Sequence, residues 1–273
     1  MRVRGFDTKK SLGQNFIMDK NILAKIVDYS GVNLDDNVIE IGAGLGTLTI
    51  ELAKRVKKVV TFEIDKEAVL KLNENVKGFN NIIIINKDIR EANLKDIINT
   101  YFEGNKCKVV ANLPYYITSF IIMYLLQSQL IEEITILIQK EVADRICALP
   151  GSKEYGVLTI AVNYYAKPEI LFSLPPEVFI PRPKVSSTLI KLNLLKNPSV
   201  SVKDEKLFFR IVKAAFGQRR KIISNSLNSI GLGKNTILEA LRRCGINEKQ
   251  RGETVSIEKF ADLTNIIFDI MNM

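Results

Sequence analysis

Between Asn37 and Gln139 short apolar runs return at regular intervals, each followed by a stretch in which apolar residues recur with helical spacing. The runs are Asn37 to Ile41, Lys58 to Ile64, Asn81 to Asn86, Cys107 to Ala111 and Glu133 to Gln139. Strands that are apolar at nearly every position are buried on both faces, and helical stretches between them serve as crossovers. The pattern therefore predicts an α/β fold with a mostly parallel sheet covered by helices. Two later runs, Glu169 to Leu174 and Ser186 to Leu194, are placed to complete the sheet as a hairpin edge. The second follows a segment broken by Pro175, Pro176, Pro181 and Pro183.

Beyond Lys196 to Ser199 the period changes. Leu207, Phe208, Ile211, Val212, Ala215 and Phe216 recur at the spacing of one helix face. The Lys-Asn-Pro-Ser segment is read as the boundary. It gives a first domain of residues 1–199 and a small all-α C-terminal domain of residues 200–273, with turns at Gly231, Gly233, Gly245 and Gly252. No internal repeat or low-complexity tract interrupts either part.

Composition narrows the chemistry more than the fold. With no histidine in 273 residues, histidine triads, histidine general bases and histidine metal ligands are excluded. Cys107, Cys147 and Cys244 are far apart and form no CxxC pair, so they read as small core hydrophobes in a reducing compartment. The longest apolar stretch, near Ile117 to Leu126, is about half of what a helix needs to cross a bilayer. The start of the chain leads into polar residues instead of a signal-peptide core, so the expectation is a cytoplasmic protein with no membrane partner. A net charge of +9 favours a polyanionic partner, because each phosphate met by Lys or Arg releases condensed counterions.

Candidate chemistry sits at successive strand ends. Val38-Ile39-Glu40-Ile41 runs into Gly42-Ala43-Gly44-Leu45-Gly46, a glycine-rich turn that lets backbone approach a ligand. Its GxGxG spacing differs from the GxGxxG that cradles a pyrophosphate, and so favours a cofactor without phosphates. Glu63 lies near the end of the second run, 21 positions after Gly42, where such folds hold a ribose by its hydroxyls. Asp65 has the same parity on the strand and is an alternative for that role. At the third tip Asp88 is placed to accept the amino group of an adenine ring, with Ile64 and Ile89 against the ring faces. Together these elements look like a pocket for S-adenosylmethionine.

The fourth run leads into Asn112-Leu113-Pro114-Tyr115. The exocyclic amine of adenine is a poor nucleophile, since its lone pair is delocalised into the ring. Acceptors that hold its hydrogens favour a more pyramidal nitrogen, and the Asn112 side-chain oxygen and Leu113 carbonyl supply two. Pro114 stiffens the backbone that aims them, and Tyr115 offers a face for an unstacked base. This chemistry calls for no metal.

On these residues the chain resembles the ribosomal RNA adenine dimethyltransferase family, over nearly its whole length. Further matching segments are Lys10 to Phe16, Val178 to Ser187 and Phe216 to Lys221. The resemblance implies a Rossmann-like methyltransferase domain, with Asn15 and the backbone at Ile17 closing over S-adenosylmethionine. It also implies that Gly42 and Gly44 line that cofactor, Glu63 and Asp88 bind its ribose and adenine, and Asn112 faces its methyl group. Phe179 is then expected to sandwich the target base against Tyr115, and Arg219, Arg220 and Lys221 to help grip the RNA. The Gln218 to Lys221 cluster also reads as a basic helix end, and that alternative stays open. The family's small-subunit branch implies small-subunit ribosomal RNA, or the assembling small subunit, as partner of a monomeric enzyme. A large-subunit adenine methylase that confers antibiotic resistance, a DNA adenine methyltransferase and a non-catalytic assembly factor are the rivals. An NAD oxidoreductase is disfavoured by the glycine spacing.

Overall fold

The computed structural model describes residues 2–272 apart from Arg4, Lys10, Ser11, Gln129 and Arg219, and of Arg2 and Val3 the backbone alone. Its centre is a seven-stranded sheet. The strands are β1 (Asn37–Ile41), β2 (Lys58–Phe62), β3 (Ile82–Ile85), β4 (Cys107–Asn112), β5 (Ile131–Gln139), β6 (Ala166–Leu174) and β7 (Ser187–Leu194). Their spatial order is β3-β2-β1-β4-β5-β7-β6. The pairs β1–β2, β2–β3, β1–β4 and β4–β5 are parallel, and β7 runs antiparallel to β5. β1 is buried at all five positions, as its apolar run requires, and Ile39 pairs with Val60 on one side and Val109 on the other.

The chain order reverses between β1 and β4, so their carboxyl ends diverge and leave a crevice there, the place where open α/β sheets receive ligands. Helices α1 (Lys20–Ser30), α2 (Thr47–Ala53), α3 (Lys66–Asn75), α4 (Leu94–Phe102) and α5 (Thr118–Leu126) connect or flank these strands. Several begin at side-chain caps. Asp19 caps α1, Asp65 caps α3 and Asn93 caps α4, each accepting from a backbone amide of the first turn. Outside the large sheet, Phe16–Ile17 pairs antiparallel with Phe179–Ile180.

The chain divides into two compact units, residues 1–143 with 168–194, and residues 144–167 with 195–273. The second unit is helical, but it takes in residues 144–167, which the sequence reading assigned to the first domain, and it resumes at Leu195 instead of at residue 200. The physical reason is the packing of Val157–Tyr165. This helix is apolar around most of its circumference, so its period does not reveal which core it joins, and Ile160 and Tyr164 pack with Phe208, Ile211 and Phe260. Glu205–Gly217 buries Leu207, Phe208, Ile211, Val212 and Ala215, the face that the sequence spacing marked. Asp204 caps it by accepting from the Leu207 amide at 2.9 Å. Among the described residues no helix is long and apolar enough to cross a membrane.

Candidate active site

The turn after β1 is built by glycine for two separate reasons. Gly42, Gly44 and Gly46 have φ of 80°, 55° and 80°, in the left-handed region that residues with a Cβ avoid. A Cβ on Gly44 would also lie 2.5 Å from the Phe16 ring. The amides of Gly42 and Ala43 both donate to the Phe62 carbonyl, at 2.8 and 3.2 Å, which ties the turn to the end of β2.

Glu63 follows directly. One carboxylate oxygen accepts from the Gly44 amide at 2.7 Å and the other from the Asp65 amide at 2.8 Å. Burial pushes this carboxyl up from its usual range, and the backbone amides act against that rise. Each oxygen retains a lone pair for a ligand hydroxyl. Asp65, the alternative from strand parity, faces other partners. It accepts from Lys9 Nζ at 2.7 Å, Gln14 Nε2 at 3.0 Å and the Glu67 amide at 3.1 Å. Glu63 lines the cavity at this edge of the sheet and Asp65 does not.

At the β3 tip Asp88 caps the single turn Ile89–Glu91 through the Arg90 amide at 2.9 Å. The Arg90 guanidinium also grips the carboxylate, with Nη2 2.6 Å and Nε 3.0 Å from Oδ2, and this holds Asp88 below the usual carboxylate range. Asp88, the buried Ile89 and the half-exposed Ile64 all line the cavity. Sequence reasoning missed Arg90, for which only its position two residues after the acid gave a signal.

Asn112 ends β4. Its side-chain amide nitrogen donates to the Asn15 carbonyl at 2.9 Å, and the Asn15 side chain donates in turn to the Gly13 carbonyl at 3.2 Å. A carbonyl accepts only from the NH₂ end of an amide, so this bond leaves the Asn112 oxygen as the end able to accept from a ligand. The Leu113 amide donates to Leu137 O at 3.1 Å, which anchors the segment on β5. Pro114, at φ −60° and ψ 130°, opens the turn Tyr115–Ile117, and its carbonyl accepts from the Thr118 hydroxyl at 3.0 Å. The Tyr115 hydroxyl shares a hydrogen bond with that of Ser187 at 2.7 Å, and burial pushes its pKa up.

One cavity thus gathers every predicted cofactor residue and the whole Asn112 to Tyr115 segment. It also takes in Glu40, which the sequence reading passed over. Glu40 is the one acid in β1, is 1% exposed, and accepts from the Thr49 hydroxyl at 2.6 Å. An acid set between Ile39 and Ile41 in a strand buried at every position was the available signal. Phe179 is not brought to the cavity. Its backbone pairs with Ile17, but its ring is buried with Leu23, Leu174 and Leu189 in the core. Arg220 and Lys221 are exposed in the helical unit, just beyond the helix that ends at Gly217, and Arg219 lies outside the described residues. Among the described residues no group of three or more Cys, Asp and Glu is placed to hold a metal.

The strand order, the glycine turn and the acids at successive tips are those of a Rossmann-like methyltransferase. Solved structures agree. The chain superposes on the crystal structure of the 23S rRNA methyltransferase ErmE with a TM-score of 0.71, 26% identity, and coverage of 93% of this chain and 100% of that one. A dimethyladenosine transferase from Plasmodium falciparum shares the fold at a TM-score of 0.76 and 24% identity, covering 91% and 95%. The family model for ribosomal RNA adenine dimethylase matches residues 5–269. A ribosomal RNA small subunit methyltransferase A from Caldanaerobacter subterraneus subsp. tengcongensis is 58% identical over 260 residues, covering 95% of this chain and 97% of the relative. The chain belongs to the ribosomal RNA adenine dimethylase family.

Proposed function

We propose that this chain transfers methyl groups from S-adenosylmethionine to the exocyclic amines of two adjacent adenines near the 3′ end of small-subunit ribosomal RNA, two to each, during subunit assembly in the cytoplasm. The observation that carries the reading is the Asn112 amide. Its nitrogen is committed to the Asn15 carbonyl, so its oxygen is available to a substrate amine at the tip of β4. With the Leu113 carbonyl as a second acceptor, the amine hydrogens are held and its lone pair is drawn out of conjugation. Tyr115 supplies an aromatic surface beside that point, and water takes the proton that the methylated nitrogen sheds.

The residues present fit the donor. The buried Glu63 carboxylate suits ribose hydroxyls, Asp88 suits an adenine amino group, and Ile64 and Ile89 suit the faces of its ring. Gly44 keeps a Cβ out of space already filled by Phe16. When bound, S-adenosylmethionine supplies an activated methyl group on a sulfonium. The choice of small subunit is supported by relatives such as the 58% identical one, named for that target. Likeness to ErmE favours a large-subunit target as a second reading, at 26% identity. Mass spectrometry of both ribosomal RNAs, after incubating under-methylated subunits with enzyme and donor, tests the choice. Dimethyladenine is expected in the small subunit; its confinement to the large one transfers the assignment to the second reading.

A further inference from the structure

Every residue from Leu12 to Ile17 lines the cavity, and three sets of bonds hold this stretch in place. At its far end Phe16–Ile17 pairs with Phe179–Ile180. Next to that, the Asn15 carbonyl accepts from the Asn112 amide. At the near end Gln14 enters a closed ring of bonds: Gln14 Nε2 to Asp65 Oδ2 at 3.0 Å, Lys9 Nζ to Asp65 Oδ1 at 2.7 Å, and the Lys9 amide to Gln14 Oε1 at 2.7 Å. The Asp65 side chain is 1% exposed, while that of Lys9 is 39% exposed.

A helix cap alone does not account for this arrangement, since Ser or Asn would serve α3 as well. Burying a carboxylate against a lysine that is itself part-exposed adds little net stability, and the best-attested use of a buried charge is to specify one arrangement over others. What is specified here can be followed along the chain. Gln14 and Asn15 are consecutive, so fixing the Gln14 side chain restrains the peptide whose carbonyl orients Asn112. We propose that Asp65 is a positioning residue that fastens residues 12–17 over the cavity and, through the Asn15 carbonyl, fixes which end of the Asn112 amide faces the substrate. The catalytic half rests on the methyl-transfer reading; the fastening half does not.

Two variants of the full chain separate this role from capping. Asp65→Ser retains a cap for α3 but loses the carboxylate, and Lys9→Met leaves the cap untouched. In the ligand-free protein, amide hydrogen exchange across residues 12–17 is expected to accelerate about 10- to 100-fold in both, while the sheet strands keep their protection. Dissociation of S-adenosylhomocysteine should quicken by a similar factor, and turnover at saturating donor should fall, with Asp65→Asn recovering part of both through its remaining acceptor. Unchanged exchange in Asp65→Ser and Lys9→Met overturns the fastening. Faster exchange with normal turnover and normal dissociation overturns the catalytic half. A wild-type chain that neither binds S-adenosylhomocysteine nor methylates RNA refutes the functional reading, and the exchange result still decides the fastening.

Discussion

At Asn112 a single amide gives a hydrogen to Asn15, and on the proposed reading it keeps its oxygen for the substrate. Replacing it with alanine removes one preorganised acceptor, so Asn112→Ala should lower single-turnover methylation by roughly 100- to 1000-fold. Retention of full rate would remove Asn112 from the chemistry. Glu40 makes a different residue-scale prediction. Burial pushes its carboxyl from an ordinary value near 4.5 up to about 7, against the opposing bond from Thr49. A raised folded-state value means the native protein holds the extra proton, so the contribution is complete below the unfolded value and is lost as pH rises through 7. Denaturant melts should therefore show wild type losing stability relative to Glu40→Gln between about pH 5 and about pH 8, by on the order of 3 kcal/mol at most. A difference that stays flat with pH would show that the site ionises normally. Spacing pointed to Asn112 and Glu63 because Asn112 ends β4 and Glu63 directly follows β2. It was silent on Lys9, Gln14 and Asp65 as a group, because Lys9 and Asp65, 56 positions apart, meet only when the chain folds back.

Among the elements, legibility followed burial. β1 occupies the residues its run marked, since a strand covered on both faces is apolar at most positions and only Asn37 and Glu40 interrupt the pattern. β6 starts at Ala166, three positions before the expected Glu169, because an edge strand with many exposed positions carries a weak pattern and includes Pro168. Phe179 shows the limit for the short pairing between Phe179–Ile180 and Phe16–Ile17. Its place between prolines matched the family pattern, yet the sequence does not say which way the ring turns. With the ring at 2% exposure, Phe179→Ala should cost about 3–5 kcal/mol of stability by the cavity it leaves. Calorimetric melting checks this. A normal melting temperature with lost methylation would instead indicate that the ring leaves the core to meet the base.

For the whole molecule, the net charge of +9 suits contact with RNA phosphates, and on the proposed reading those contacts position the RNA while the cavity selects the base. Arg220→Glu combined with Lys221→Glu should weaken RNA binding and reduce the slope of log affinity against log salt by up to about one for each phosphate that a cation no longer meets. Donor affinity should not change. If the salt slope is also unaltered, these side chains only finish a helix. The fastening of residues 12–17 bears as well on how the products accumulate. Each transfer spends one donor, and a pocket whose lining segment is fastened at Asp65, at Asn112 and by the pairing with Phe179–Ile180 must be emptied and refilled before the next. Four transfers to one RNA then demand repeated reloading, and the RNA has a choice at each reload between waiting and leaving. Slow donor exchange relative to RNA release yields monomethyladenine early in a time course; the reverse yields dimethyladenine from the first turnovers. The ratio of the two products is thus a clock for the opening of a six-residue stretch.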